Sequence, residues 1–555
     1  MTTSCNIAAA LPRLARERPD QIAIRCPSGR GPDGRTEYAN TLSYAELDRR
    51  SDAIAAGLTK LGIGRGVRTA LMVRPSPEFF LLMFALFKSG AVPVLIDPGI
   101  DRRALKQCLG EAAPTGFIGI PLAQLARVLM GWARASVRHV VTVGRRFPFG
   151  GHSLAQVEAL GAGAGPQLAD TAPDEIAAIL FTSGSTGVPK GVLYRHRHFA
   201  AQIELLRDAF GIEPGGVDLP TFPPFALFDP ALGLTSVIPD MDPTRPAQAD
   251  PRKLIDAIER FGIDQMFGSP ALLDTLSRYG EQHGVKLPGL KRVTSAGAPV
   301  PFAVVQRMQA MLAEDAQIWT PYGATECLPV AVIEGRELAQ TRSKTEAGAG
   351  TCVGLPVSAN TVRVIAISDA EISDWRDARE LPAGYIGEIT VAGPSATDAY
   401  FQREAATRLA KLSETLGDGS SRVVHRMGDL GYFDGQGRLW FCGRKTQRVE
   451  TASGPLYTEQ VEPVFNVHAD VRRTALVGLG ERGAQTAVLC VELMPSCCRE
   501  RSVIEAELLN LGERHAHTAG IAHLRFHPGF PVDIRHNAKI GREALSRWAA
   551  AQGIQ

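Results

Sequence analysis

Apolar positions along the first 140 residues alternate between two spacings. In "LSYAELDRRSDAIAAGLTKLGIG" they recur every three to four places, as on a helix with one buried face. Ser43 and Glu46 supply a capping box at its start, and Gly62 ends it. "VRTALMV" then reads as a strand, Pro77 to Lys88 as a helix and "AVPVLID" as another strand. That order requires crossover connections, so it predicts a largely parallel sheet. A loose tract, "LGAGAGPQLADTAPDE", leads into the strand "IAAILF". Further on, "RKLIDAIERFG" and "PALLDTLSRYGEQHG" are helical, and "IDQMFG" and "LKRVTSAG" are strands. From about Cys352, short strands such as "TVRVIAI" and "GEITVAG" with frequent glycines suit a small β-barrel or sheet. A boundary is expected near Gly443–Arg444. The expected fold is α/β: a large N-terminal domain of stacked α/β sheets plus a small β-barrel (1–443), then a smaller α+β domain (444–555).

At 555 residues the chain is too long for one core, which agrees with two or more domains. It is 45% hydrophobic and 21% charged, ordinary for a globular protein. A formal charge of +2 gives no electrostatic reason to expect nucleic acid. The basic run Arg195-His196-Arg197-His198 reads as a solvated helix start. The N-terminus lacks the features of a targeting signal. The most hydrophobic stretch, Phe79 to Phe87, is far shorter than the ~20 residues of a membrane span, so no transmembrane segment is expected. Peripheral membrane contact needs no such span. Nine scattered cysteines without a CxxC pair argue against a disulfide framework or zinc ribbon. His515, His517, His523 and His527 read as surface histidines, and the whole suits a reducing cytoplasm.

One loop changes the picture. "ILFTSGSTGVPKGVLYRHRHF" places Gly184 and Gly187, the hydroxyls of Thr182, Ser183, Ser185 and Thr186, and then Lys190 behind an apolar strand. Glycines let the backbone approach an anion, hydroxyls add donors and lysine adds a point charge, so the loop is suited to phosphate. It is not a Walker A loop, because Val188 and Pro189 separate Gly187 from Lys190.

With further motifs in order, the chain resembles the adenylate-forming superfamily of acyl-CoA synthetases, peptide-synthetase adenylation domains and luciferases, from about residue 40 to 545. "SAGAPVP", with Gly297, Ala298 and Pro299, is similar to the family's adenine-side loop. "YGATE" resembles the segment in which Tyr322, Gly323 and Ala324 meet adenine, Thr325 meets phosphate and Glu326 holds magnesium. "GDLGYFDGQGRLWFCGR" resembles the ribose-binding stretch, with Asp429 on the hydroxyls and Arg444 near a hinge. "NAKIGRE" offers Lys539 where the family keeps its catalytic lysine. The resemblance implies ATP and Mg²⁺, a mobile C-terminal domain, catalytic roles for Lys539, Glu326, Thr325 and Lys190, and metal ligation by Glu326 and Thr182.

Several positions depart from that pattern. Asn537 and Ala538 replace the usual Ser-Gly before the lysine, Thr446 stands where the hinge is acidic, and Glu450 replaces a common lysine. A glycine loop that lines the thiol channel of CoA ligases is shifted by one residue, which weakens the expectation of a thioester product. Thr221 to Pro251 lacks the histidine of "PLFH", and Phe228-Asp229 matches only half of "FDxS". Asp229 reads better as a cap of the turn before Pro230. Through "PDMDPTRPA" this stretch resembles the β-lactone synthetases of bacterial long-chain olefin biosynthesis. That implies a long-chain 2-alkyl-3-hydroxy acid as substrate, with room for a complex with other olefin-biosynthesis enzymes. Its adenylate would be attacked by its own hydroxyl, an arrangement favoured by effective molarity. A fatty acyl-CoA or acyl-ACP ligase is the alternative, and a nucleotide-binding scaffold is a second. No base for the hydroxyl can be named. His196 is nearest by position but reads better as packing at a helix start.

Overall fold

The computed structural model describes residues 5–97, 99–145, 150–182, 189–532 and 540–553. Ser183, Gly184, Ser185, Thr186 and Gly187 of the phosphate loop lie outside the described residues, as do Asn537, Ala538, Lys539 and the side chain of Thr182.

The alternating segments near the N-terminus build a seven-stranded sheet. Its order is Lys190–Arg195, Ile176–Thr182, Val92–Ile96, Arg68–Met72, Gly116–Gly119, His139–Thr142 and His152–Ser153. All neighbours are parallel except the first pair. The capping box forms as expected: Ser43 Oγ accepts from the Glu46 amide (3.2 Å) and Glu46 Oε2 from the Ser43 amide (3.0 Å), starting helix Tyr44–Lys60. Helix Pro77–Lys88 is apolar on every side because it is buried on every side. It lies in a core with Tyr44, Leu47, Ile118 and Val141. Lys88 does not leave that core. Its Nζ bonds Asp48 Oδ1 and Asp52 Oδ1, both at 2.6 Å, with no side-chain exposure.

A second, longer sheet carries adjacent parallel strands Val217–Pro220, Gln265–Phe267, Arg292–Thr294 and Gln317–Ala324. Beyond them, Cys327–Glu334 pairs antiparallel, and Ala331↔Pro356 and Val332↔Leu355 pass the sheet on to Thr351–Pro356. The antiparallel strands expected after Cys352 follow there: Leu439–Arg444, Ser421–Phe433, Gly387–Ala392 and Thr361–Ile365. They close over a separate core of Val330, Ile389, Val391 and Leu439.

At the C-terminal end a three-stranded sheet, Val471–Leu479, Thr486–Leu493 and His523–Phe526, has helices on both faces. Thr458–Asn466 and Arg501–Glu513 cover one face through Phe465, Ile504 and Leu508. Arg542–Ala551 covers the other through Leu545 and Ala549. Among the described residues no helix is long and apolar enough to cross a membrane.

Candidate active site

In open α/β sheets ligands bind outside the carboxyl ends of the parallel strands. Those ends carry the motifs here. Ile176–Thr182 runs into the phosphate loop, and Lys190, the first residue of the returning strand, is the register partner of Thr182. In the second sheet Arg292–Thr294 runs into Gly297, Ala298 and Pro299. Gly297 has φ +98°, which favours glycine. The adjacent strand Gln317–Ala324 ends in a tight turn at Thr325-Glu326, closed by the pair Ala324↔Cys327. "YGATE" is thus a strand end plus a hairpin turn, which holds Glu326 at a defined point.

Three expected nucleotide contacts meet one another. The Tyr322 hydroxyl donates to Asp429 Oδ2 at 2.7 Å, and Arg444 Nη1 stands 2.9 Å from Asp429 Oδ1. Asp429 and Arg444 face each other across neighbouring strands. Burial pushes the Asp429 carboxyl up, while Arg444 and the Tyr322 hydroxyl oppose that. Asp429 raises the Arg444 pKa in turn.

Around Glu326 stand residues with no motif to announce them. The Tyr400 hydroxyl donates to Glu326 Oε1 at 2.6 Å. Thr397 donates to the Glu326 carbonyl from its amide (2.8 Å) and its hydroxyl (3.1 Å). The same segment is tied to the strand that follows the phosphate loop: the Leu193 amide donates to Ala399 O, and the Phe401 amide to Gly191 O. Residues 396–401 therefore strap the phosphate-loop strand to the turn of Glu326. Lys190 Nζ lies 5.1 Å from the centre of the Tyr400 ring, within range of a cation–π contact. Tyr194 donates its hydroxyl hydrogen bond to the Thr325 carbonyl.

Behind the strap, buried Lys411 donates to the Thr397 carbonyl and hydroxyl. Burial brings its pKa down to about 8, against the pull of Glu326. Its cross-strand partner His425 is buried and held neutral, with a pKa lowered to about 3 by burial and by Lys411. Burial alone would push Glu326 up. Charge interaction with His425, the Tyr400 hydroxyl bond and Lys411 outweigh it and hold the carboxyl below its usual range. At neutral pH, where His425 is uncharged, Tyr400 and Lys411 are the two that act. Glu326 is thus an anion at neutral pH. Tyr400 occupies Oε1 and leaves Oε2 for a cation, and a lone carboxylate suits Mg²⁺, which keeps waters and phosphate oxygens as its other ligands. Among the described residues no group of three or more His, Cys, Asp or Glu could hold a metal by itself.

The Arg195–His198 run is not a solvated helix start: His196 and His198 are buried, and Arg195 and Arg197 both bond Asp398 Oδ2 at 2.7 Å. Residues facing an ion pair across the fold cannot be told from solvated ones by composition. His196 opens helix His196–Phe210, packed beside Glu175 and Arg65 and lowered by burial to about 4, in keeping with a packing role. Asp229 does not cap a turn. It heads the one-turn helix Asp229–Leu232 without a side-chain cap bond, and its carboxylate accepts from the Ser236 hydroxyl beside Asp218. At the expected hinge, Thr446 lies in a short 3₁₀ turn, and Glu450 pairs with Arg448 at 2.7 Å.

Asp218 and Asp229 are a buried, hydrogen-bonded carboxyl pair. Burial and mutual repulsion push Asp218 well above the usual carboxylate range, and burial pushes Asp229 up to about 7. A carboxyl with a raised folded-state pKa binds more protons folded than unfolded. Its contribution is therefore full below about pH 4 and is lost as pH rises toward 7. Asp218→Asn keeps a donor for Asp229 and removes the second charge. Its stability relative to wild type should increase steadily from pH 4 to 7 in denaturant midpoints. A difference independent of pH would show that the pair does not share a proton.

The chain is also similar to known proteins. Residues 11–401 match the family described as AMP-binding enzyme. The chain is 70% identical over 555 residues to an olefin beta-lactone synthetase of Xanthomonas campestris pv. campestris, covering 100% of this chain and 99% of the relative. A second olefin beta-lactone synthetase, from Stenotrophomonas maltophilia, is 68% identical over 553 residues, again covering 100% and 99%. In fold the chain is similar to the amide bond synthetase McbA from Marinactinospora thermotolerans, with TM-score 0.77 at 22% identity over 98% of this chain and 99% of that one. With these matches and the motif-bearing strand ends in place, the chain belongs to the AMP-binding enzyme family.

Proposed function

We propose that this protein activates a long-chain 2-alkyl-3-hydroxy fatty acid with ATP and closes it to a β-lactone. The observation that carries this is the 70% identity, along the full chain, to an olefin beta-lactone synthetase, in a chain that keeps the Tyr322–Asp429–Arg444 and Glu326–Tyr400 arrangements. A substrate carboxylate oxygen attacks the α-phosphorus and pyrophosphate leaves. The 3-hydroxyl oxygen then attacks the acyl carbon, the bond to AMP breaks, and the hydroxyl proton is released. We place adenine between Gly297–Pro299 and Tyr322–Ala324, ribose on Asp429, and the phosphates near Thr182–Gly187, Thr325 and Lys190. Mg²⁺ on Glu326, with Thr182 as a second ligand, would offset the charge that builds on the phosphates. Lys539, from a domain comprising residues 444–555, would bridge carboxylate and phosphate over the large domain at 1–443.

The acyl chain has an apolar wall at hand. Phe222, Phe225 and Phe267 stack edge to face at 5.2 and 4.6 Å, and all three are only half-buried. Such a wall would help keep water from the adenylate, whose hydrolysis would waste ATP. All nine cysteines are free thiols, which suits the cytoplasm proposed as its compartment. With a 2-alkyl-3-hydroxy acid, ATP and Mg²⁺ but no CoA, repeated turnover to AMP and a β-lactone is expected. An acid lacking the 3-hydroxyl should stall as bound adenylate, because nothing is placed to attack it. Turnover only with CoA, yielding a thioester, would replace this function with the acyl-CoA ligase alternative.

A further inference from the structure

The outer face of the seven-stranded sheet carries a surface that the chemistry above does not use. Helices Arg102–Ala112 and Pro121–Met130 lie side by side there. Leu105 and Leu109 of the first and Ala123, Ala126 and Met130 of the second pack inward around Phe117 and Trp132. Both helices thus have a buried face already. Yet the second also turns Leu122, Leu125, Val128 and Leu129 outward, 64, 38, 50 and 75% exposed. Single exposed leucines are common, but four on a ten-residue helix make a continuous apolar strip, which marks a binding surface.

The strip is flanked by unpaired positive charge. Between residues 102 and 145 the chain has seven Arg and Lys and one acid, Glu111. That acid is paired with Arg403 at 2.7 Å, and the preceding Asp101 caps its own helix. Arg102, Arg103 and Lys106 are exposed on the neighbouring helix, and Arg134 and Arg138 just past the strip. No acidic group among the described residues forms an ion pair with any of these five. The excess is local, since the whole chain carries only +2.

We propose that this face docks on an anionic lipid surface, with the leucine strip entering the headgroup layer and the arginines and lysine meeting lipid phosphates. A helix with aliphatic residues on one side and cations along its margins lies in such an interface rather than crossing it. Its ten residues are half of what a span needs. The strip is purely aliphatic, and protein hot spots favour Trp, Tyr and Arg over Leu and Val, so lipid suits it better than a protein groove. Docking there would bring a membrane-dissolved acid to the enzyme, but it does not depend on which product forms.

Flotation of the full-length protein tests this, with vesicles of equal parts phosphatidylcholine and phosphatidylglycerol and with phosphatidylcholine alone. Binding is expected only to the anionic vesicles and should weaken as salt screens the contact. The pair Leu122→Ser with Leu129→Ser, and separately Arg134→Glu with Arg138→Glu, should each reduce it by about tenfold or more. Pyrophosphate release with a short soluble acid should stay unchanged in both, which also shows that the variants fold. Wild type that ignores anionic vesicles, or variants that float as well as wild type, would overturn the proposal. So would a strip that governs the apparent mass of the soluble protein without lipid binding, because it would then be a protein interface.

Discussion

Glu326→Gln is expected to slow adenylate formation by about a hundredfold at moderate Mg²⁺ and to raise the Mg²⁺ concentration needed for half the maximal rate. Glutamine is almost isosteric and its carbonyl oxygen can still accept from Tyr400, so the turn should stay as it is. What it removes is the negative charge that the Tyr400 hydroxyl bond and the Lys411 cation help keep ionised. A neutral amide holds a divalent cation far less well, so the phosphates lose much of their charge compensation. Pyrophosphate release titrated against Mg²⁺ reads both effects. An unchanged titration would overturn the proposed metal role of Glu326.

Lys539→Ala should be at least as severe, with a fall of about 10²–10³ in adenylate formation, the cost of losing a preorganised positive group where charge develops. The basis is the "NAKIGRE" motif. On its C-terminal side the described residues are firmly held: Arg542 donates to Glu462 Oε2 at 2.9 Å, and Ile540 bridges to Val532. Loss of one lysine side chain should leave the thermal midpoint near wild type, so activity and folding can be separated. Pyrophosphate release near wild type would show that another group does this work, and the departure at Asn537-Ala538 would be the first place to look.

The layout of the molecule was legible because helix and strand periods differ and the segments are long. The capping box at Ser43, the helix from Pro77 to Lys88 and the strand before the phosphate loop form where the pattern places them. Motifs at strand ends were legible too, and Tyr322, Asp429 and Arg444 meet although over a hundred residues separate the first from the others. The supports of Glu326 were not. Thr397 and Tyr400 sit in "GPSATDAYFQ", a stretch that reads as an ordinary loop, and they reach Glu326 only through tertiary folding. Lys411 and His425 look like residues of exposed strands, since nothing local says that both would be buried. Asp229 was misread for the same reason: Pro230 signals a turn, while Ser236 and Asp218, its actual neighbours, come from two other strands.

Lys88 shows how such hidden contacts constrain change over evolutionary time. Asp48 and Asp52 stand one turn apart on helix Tyr44–Lys60, and the one ammonium between them pairs with both. Losing the lysine alone leaves two neighbouring, partly exposed carboxylates at the edge of the core without a counter-charge, a defect costing at most about 3–5 kcal/mol. Losing one aspartate is milder, because the remaining two still form a neutral pair. The three positions are therefore open to substitution in an order: an aspartate can drift first, the lysine only after both. A lineage that begins from the lysine meets a barrier, so the same final trio of apolar residues is reachable by some mutational paths and closed to others.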